Sequence, residues 1–149
     1  MCSHYQAEEF QRIQQKFPFI SPLRNPYKRD MWPGYPGVFL RRPPELSSGD
    51  EAVPPLEAVV GRWGMIAPST KPDKLRQAEK LSTFNARDDT VATKWPYKLA
   101  WERAQRCLIP AAAFYEPDHR PESKAMNGGR ALSTRFTEAS GDTMMIAGL

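Results

Sequence analysis

The sequence predicts one domain that contains both strands and helices. Its 149 residues suffice to bury a core in a single domain. Apolar runs typical of strands occupy residues 38–42, 57–64, 106–116, 130–137 and 143–149, and the last two are expected to form a hairpin around residues 140–142. Helical spacing of apolar residues predicts helices at 5–16, near 70–81 and in a run that ends at residue 105.

The composition is that of a soluble globular protein, with 40% hydrophobic and 26% charged residues. A transmembrane helix is not expected, because no apolar run reaches about 18 residues, and the N-terminus has no signal-peptide pattern. Cys2 and Cys107 are too few for a disulfide scaffold, which favours a reducing cytoplasm. The net charge of +4 permits nucleic-acid binding without requiring it.

The N-terminus carries the first candidate for chemistry. If Met1 is removed, Cys2 has a free amine and a thiol on adjacent carbons, and these groups titrate at about 8 and about 8.5. An aldehyde can condense with the amine, and the thiol can then close a five-membered thiazolidine ring. Ser3 and Gln6 fit a capping box for the helix at 5–16, so Cys2 is expected just before a helix N-terminus, where the macrodipole favours a thiolate.

Two further segments combine loop signals with functional residue types. In the loop at 21–37, basic residues and aromatics alternate, which suits stacking and clamping of single-stranded nucleic acid; an ordinary loop pinned by two aromatics fits equally. The residues concerned are Arg24, Lys28, Arg29, Trp32 and Tyr35. The strand at 106–116 ends on the carboxylate of Glu116, and a loop is expected from there to Gly129. Trp95, Leu99 and Trp101 are expected in the core.

Four segments together resemble one family. They are Met1-Cys2, residues 62–68 (RWGMIAP), residues 85–90 (NARDDT) and residues 106–116 (RCLIPAAAFYE). In order and spacing they are similar to the SOS-response-associated peptidase (SRAP) family, which includes abasic-site shielding proteins. The resemblance covers nearly the whole chain. It implies an α+β fold with a curved, barrel-like, mainly antiparallel sheet and short flanking helices.

The resemblance also implies a function. Met1 would be removed by self-cleavage, and Cys2 would attack the open aldehyde of an abasic site in single-stranded DNA to form a stable thiazolidine crosslink. The partner would be DNA and not a membrane, with the protein a monomer that needs no cofactor. It would act in the cytoplasm near the nucleoid if bacterial, and in the nucleus if eukaryotic.

Roles follow for the residues that match the family motifs. Cys2 would be the nucleophile, Asn85 would hold the N-terminal residue or the open sugar, and Glu116 would exchange protons. Arg87 would grip phosphate. Each residue also has a purely structural interpretation. Asn85 would be a buried amide that hydrogen-bonds to the backbone, Glu116 a surface carboxylate, and Arg87 an arginine paired with Asp88 or Asp89.

The sequence departs from the family at several places. Ser3-His4 stand where the family has Gly-Arg, so that His4 either replaces an arginine contact to phosphate or is a plain surface histidine. The family's tryptophan after the Trp-Gly-x-x-Pro segment is missing, so that either Trp32 or Tyr35 takes its place or the protein binds DNA less tightly. The predicted DNA-binding residues are His4, Trp32, Arg62, Trp63 and Arg87. The family's catalytic histidine would follow Leu149, so we expect the chain to be truncated at its C-terminus.

Three other interpretations use the same residues. One is an N-terminal cysteine peptidase acting on protein, and another is a DNA-binding relative that has lost catalysis. The third is a zinc site from Cys2, His4, Cys107 and His119, which is disfavoured because Cys-x-His is not a usual ligand spacing. No metal site is expected.

Overall fold

A curled antiparallel sheet, shaped like half of a barrel, organises the molecule. The computed structural model describes residues 2–23 and 25–149; Met1, whose removal is expected, and Arg24 of the basic loop lie outside the described residues. Within the described part, the sheet has seven strands. They are β1 (His4–Ala7), β2 (Asp30–Met31), β3 (Pro36–Arg41), β4 (Glu57–Arg62), β5 (Cys107–Asp118), β6 (Leu132–Phe136) and β7 (Met144–Gly148).

The helices that accompany the sheet are short. They are α1 (Phe10–Lys16), α2 (Leu75–Ala78), α3 (Lys98–Glu102) and α4 (Pro121–Met126), with 3₁₀ turns at Pro44–Ser48 and Pro72–Lys74. Such short helices gain little stability by themselves and depend on packing against the sheet. The predicted α+β class with a curved antiparallel sheet is therefore confirmed.

Strand β5 is the centre of the sheet. It is twelve residues long, which is enough for each of its edges to pair with two strands in succession. One edge pairs with β1 through residues 111–115 and with β3 through residues 107–108. The other edge pairs with β7 through residues 107–111 and with β6 through residues 114–118. The strand predicted at 106–116 is confirmed and continues two residues further.

The hairpin predicted from the last two apolar runs is wrong. Strands β6 and β7 are both antiparallel to β5, so they run in the same direction and follow each other along one edge. The intervening residues 137–143 leave that edge and return to it. The length of β5 decides this arrangement, because it offers hydrogen-bonding partners to both strands at once.

The helix predicted at 5–16 begins later than expected. Residues 4–7 form β1 between β2 and β5, and the helix starts only at Phe10. Tyr5 and Ala7 are buried while His4 and Gln6 are less so, which is the alternation of a strand. Backbone pairing on both sides therefore overrides the capping pattern. Cys2 consequently leads into an interior strand and not into a helix.

Other local predictions also need correction. Ser69 and Thr70 do not cap a helix, because the first turn there begins at Pro72. The expected loop after Glu116 contains α4, which starts with Pro121 at a position that favours proline. Trp95 and Trp101 are 57% and 40% exposed and so are not core residues.

The core of the described residues contains two hydrophobic clusters. One is formed by Tyr5, Ala7, Met31 and Ala111, and half-buried Cys2 and Trp63 pack against it. The other is formed by Ile13, Ile20, Val38 and Leu40. The first cluster thus places Cys2 at the margin of the core. In the described ranges, no helix is long and apolar enough to span a bilayer.

Candidate active site

Asn85 and Cys2 meet although 83 residues separate them in the chain. The side-chain amide of Asn85 donates a hydrogen bond from Nδ2 to the backbone carbonyl oxygen of Cys2 at 2.7 Å. This contact leaves the thiol and the N-terminal side of Cys2 uncommitted to Asn85. The structure therefore brings together two of the three residues predicted to be catalytic.

The position of Asn85 is itself fixed by aromatic neighbours. The Tyr97 hydroxyl donates to the carbonyl oxygen of Asn85 at 2.8 Å, and the indole Nε1 of Trp63 donates to the carbonyl oxygen of Phe84 at 3.0 Å. Trp63 also meets the ring of Tyr5 edge to face at 4.9 Å. Tyr97 did not stand out in the sequence; its only signal there is that a buried tyrosine hydroxyl needs a partner. Trp63 stays a predicted DNA contact, in a position that supports Asn85.

The Cys2 thiol is half-buried and uncharged at neutral pH. Its Sγ donates to the carbonyl oxygen of His4 at 3.2 Å. Burial raises the pKa of Cys2, and the negative charge of Glu116 adds to the rise, while backbone hydrogen bonds at His4 and Tyr115 oppose it. The expected thiolate at a helix N-terminus is thus wrong, because Cys2 precedes a strand and loses hydration.

Glu116 is the third predicted catalytic residue, and its charge reaches the thiol. It lies on β5, directly after Tyr115, which pairs with His4 of β1. On the other edge of β5 it pairs with Thr134. Its influence on the pKa of Cys2 places the carboxylate within electrostatic range of Sγ. The site therefore contains a thiol, an amide and a carboxylate.

His4 is enclosed between two aromatic rings. Its imidazole stacks on Trp32 at 4.2 Å between centroids and on Tyr115 at 4.3 Å, with interplanar angles of 4° and 10°. Its buried Nε2 has no hydrogen-bond partner among the described residues and lies 3.5 Å from Oδ1 of Asp30. At that distance the contact is an ion pair only when the imidazole is protonated. His4 is therefore not a plain surface histidine, and its enclosed Nε2 is poorly placed for the predicted phosphate contact.

The two predicted phosphate-binding arginines are both exposed and both engaged. Arg62 donates to the carbonyl oxygens of Glu79 at 2.7 Å and Trp63 at 3.2 Å. Arg87 forms two parallel hydrogen bonds with the carboxylate of Asp89, at 3.0 and 2.6 Å, which lowers the pKa of Asp89. This geometry agrees with the structural interpretation of Arg87 as part of a local ion pair. Binding of phosphate by either side chain stays a prediction.

An open cleft of about 370 Å³ begins at Asn85. Arg87 and Lys94 give it positive charge, and exposed Trp95 gives it an aromatic wall. The cleft and Cys2 share Asn85 as their common boundary.

A buried carboxylate ties β1 to the segment between β6 and β7. Glu8 is 1% exposed; its Oε2 accepts a hydrogen bond from the Thr143 hydroxyl at 2.9 Å and lies 3.6 Å from Nη1 of Arg12. Its Oε1 accepts from the backbone N–H of Glu9 at 3.0 Å, and Arg12 donates to the carbonyl oxygen of Gly141 at 2.6 Å. This burial could not be predicted locally, because a glutamate in a predicted amphipathic helix is normally a surface residue.

We expect Glu8→Ala to lower the free energy of unfolding by about 2 kcal/mol, because the Thr143 hydroxyl and the Glu9 amide lose their acceptor. Glu8→Gln keeps an acceptor oxygen and should lower it by less than half as much. Urea denaturation measures both variants. Exposed Glu51 provides the control, and its alanine variant should shift stability by less than about 0.5 kcal/mol. Equal stabilities for Glu8→Ala and Glu51→Ala would contradict the assigned role.

The burial of Cys2 and Cys107 should lower the rates at which their thiols are alkylated. Because only the thiolate reacts, the raised pKa of Cys2 predicts slower reaction with iodoacetamide at pH 7 than for a free peptide thiol, with the rate still rising above pH 9. Burial raises the pKa of Cys107 to about 11, so Cys107 should react later still. Peptide mass mapping between pH 7 and 10.5 measures both rates. A half-maximal rate for Cys2 below pH 8 would be inconsistent with this environment.

Metal binding was considered for Cys2, His4, Cys107 and His119. In the part of the chain that the structure describes, no three His, Cys, Asp or Glu side chains are placed to share an ion. His119 is exposed at the far end of β5. The disfavoured zinc hypothesis gains no support from this arrangement.

Comparison with known proteins gives a match to one family and similarity to solved structures. The family described as SOS response associated peptidase (SRAP) matches residues 1–149. A crystal structure of a protein from Bordetella bronchiseptica is similar over 98% of this chain, with 44% sequence identity and a TM-score of 0.77. This chain spans 62% of that solved chain. A comparison with curated proteins gives no match.

Proposed function

The chain belongs to the SOS response associated peptidase (SRAP) family, and from this premise we propose that it captures abasic sites in single-stranded DNA as a covalent adduct at Cys2. One observation carries the proposal, namely the 2.7 Å hydrogen bond that fixes the Cys2 backbone to Asn85. The carbonyl oxygen of a half-buried residue needs a hydrogen-bond donor, and here the donor is a side chain 83 residues away in the sequence. This bond fixes the backbone of Cys2 beside Asn85, which supports an orienting role for Asn85 toward the amine and thiol of residue 2.

The reaction uses the amine first and the thiol second. After Met1 has been released by hydrolysis, the α-amine of Cys2 attacks the aldehyde carbon of the opened sugar, and the resulting carbinolamine loses water to form an imine. The thiol sulfur then adds to the imine carbon while its proton passes to the nitrogen. The product is a thiazolidine, and the mass of the adduct equals the mass of the protein plus that of the DNA minus one water.

The environment of Cys2 suits this order. Because its pKa is raised, the thiol stays protonated until an imine is beside it. A protonated thiol brings the proton that the ring nitrogen must gain. Glu116 lies within electrostatic range of the sulfur and would relay protons when the carbinolamine loses water.

The charge around the site favours an anionic ligand. Arg87 and Lys94 line the cleft that begins at Asn85. The net charge of +4 supports attraction of a phosphate backbone over longer distances. Single-stranded DNA is the form that leaves the abasic sugar accessible to a residue held at the margin of a folded core.

The direct test is to incubate the purified protein with single-stranded DNA that contains one abasic site. We expect a heat-stable adduct on a denaturing gel. Its intact mass should equal that of the protein without Met1 plus that of the DNA minus one water. Intact DNA and a stable baseless spacer are the controls. A protein that retains Met1 and forms no adduct would refute the proposal, and turnover of peptides instead would favour a peptidase acting on protein.

Asn85→Ala should slow adduct formation by about 10-fold, because one hydrogen bond that orients Cys2 is worth about 1.4 kcal/mol. The rate at saturating DNA is the quantity to measure. Asn127→Ala is the matched control, since its amide donates to the nearby carbonyl oxygen of Ala131. Circular dichroism of both variants should match the wild type. An unchanged rate for Asn85→Ala would remove Asn85 from the mechanism.

A further inference from the structure

Three aromatic rings form a parallel stack beside the thiol. His4 lies between Trp32 and Tyr115, with ring separations of 4.2 and 4.3 Å and nearly parallel planes. The thiol of Cys2 donates to the His4 carbonyl and is influenced by the backbone of Tyr115. The backbones of His4 and Tyr115 thus border the reactive sulfur.

The outer ring of the stack is open to solvent. Trp32 is 45% exposed although His4 covers one of its faces, so solvent reaches the opposite face. An exposed tryptophan ring beside a reactive residue offers an apolar surface on which an aromatic ligand can stack. Its exposed face is flat and aromatic.

The loop that carries Trp32 is held in place. The backbone N–H of Tyr35 donates to the carbonyl oxygen of Trp32 at 3.0 Å and closes a turn. Gly34 N–H donates to the carbonyl oxygen of Trp63 at 2.7 Å, and Trp63 N–H donates to that of Tyr35 at 2.9 Å. These bonds fasten the turn to the end of β4. The indole is therefore oriented before any ligand arrives, which lowers the entropic cost of binding.

Positive charge surrounds the same turn. Nζ of Lys28 lies 4.8 Å from the centre of the Tyr35 ring. The guanidinium of Arg62 passes Gly34 so closely that a Cβ added there would be 3.3 Å from Nη2. Asp30 is the opposing charge, and it faces His4. An exposed aromatic ring on a turn that has cationic side chains beside it suits a nucleotide, whose base is flat and whose phosphate is anionic.

We propose that Trp32, His4 and Tyr115 form a stacking platform, and that the open face of Trp32 receives a nucleobase next to the abasic site held at Cys2. The inference rests on the proposed function, since the abasic sugar supplies the reason for the neighbouring base to lie here. His4 is a positioning residue in this arrangement: it keeps the indole parallel to Tyr115. The platform is tolerant of sequence, because every base has a π face.

The first measurement is non-covalent binding of a short, intact, fluorescein-labelled single strand, followed by anisotropy. Trp32→Ala should weaken binding about 10-fold, which is typical of the loss of one stacked base. Trp32→Phe should lie closer to the wild type. Trp101→Ala is the matched control, since Trp101 is similarly exposed but packs against Arg106. Equal affinities for Trp32→Ala, Trp101→Ala and the wild type would overturn the platform.

The second measurement identifies the base as the ligand. Replacing one base next to the abasic site by a stable baseless spacer should weaken binding by the wild type about 10-fold but have little effect on Trp32→Ala. His4→Phe should preserve this difference, and His4→Ala should reduce it. The spacer should be tested on each side of the lesion in turn. If it weakens binding equally for the wild type and for Trp32→Ala on both sides, no base stacks on Trp32.

Adduct formation at saturating DNA separates this inference from the proposed function. The platform predicts that Trp32→Ala slows adduct formation about 10-fold at sub-saturating DNA, and that raising the DNA concentration recovers most of this loss, because the residue contributes to binding. A wild-type protein that binds through Trp32 yet forms no adduct would refute the chemistry and leave the platform standing. Adducts formed with no dependence on Trp32 at any DNA concentration would refute the platform and leave the chemistry standing.

Discussion

Cys2→Ser is expected to abolish the heat-stable adduct. The serine variant keeps the α-amine and can still form an imine, but its oxygen closes a far less stable ring than sulfur does. Heating in water therefore returns the imine to free protein and DNA. Non-covalent binding of intact single-stranded DNA should be unchanged, since the substitution alters one atom at a half-buried position.

The measurement is the fraction of DNA shifted on a denaturing gel after heating, with and without prior borohydride. Borohydride reduces an imine, so the serine variant should yield an adduct only when it is added. Cys107→Ser is the control for loss of a thiol elsewhere, because Cys107 lies on β5 and pairs with Gly148. A serine variant that forms the heat-stable adduct as fast as the wild type would exclude the thiazolidine.

Glu116→Gln is expected to slow adduct formation by roughly 100-fold at neutral pH, the lower end of what a positioned acid or base contributes. Glutamine has the same shape and keeps the place of residue 116 opposite Thr134 in the sheet. It cannot relay a proton when the carbinolamine loses water. Because the charge of Glu116 raises the pKa of Cys2, the variant should also alkylate somewhat faster at Cys2.

These two effects have opposite signs, and together they separate a proton relay from simple damage to the fold. Rates of adduct formation and of iodoacetamide reaction should be measured on the same preparation. Glu138→Gln, at an exposed position beyond β6, is the matched control. If Glu116→Gln is slower in both reactions, the substitution has disturbed the site. If its rate of adduct formation equals that of the wild type, Glu116 has no role in catalysis.

The sequence was informative where a long apolar run or a family motif was present. The strand at 106–116 was predicted because the nine residues from 107 to 115 form one uninterrupted apolar run. The meeting of Cys2 and Asn85 followed from motifs whose order resembles a known family. The short strand at 4–7 was missed because four residues give too little periodicity to outweigh a capping pattern. Only its pairing with β2 and β5 makes it a strand.

Features that join remote positions had no local signal. The stack of His4 between Trp32 and Tyr115 needs β1, the turn after β2 and β5 to be in place at once. The burial of Glu8 likewise depends on Thr143, which lies 135 residues further along the chain. Such contacts follow from the topology of the sheet, and the length of β5 decided that topology. The apolar run at 106–116 indicated the length of β5. It did not indicate which strands would pair with β5.

The separation of 83 residues between Cys2 and Asn85 has a consequence for protein synthesis. The ribosome delivers the nucleophile first and its partners on β5 much later. At about 5–20 residues per second, several seconds pass before Asn85 has even been added. During that interval a free aminothiol would meet cellular aldehydes without any selectivity for DNA. An initiator methionine that stays in place until the pocket has closed around residue 2 would keep the amine blocked on the nascent chain.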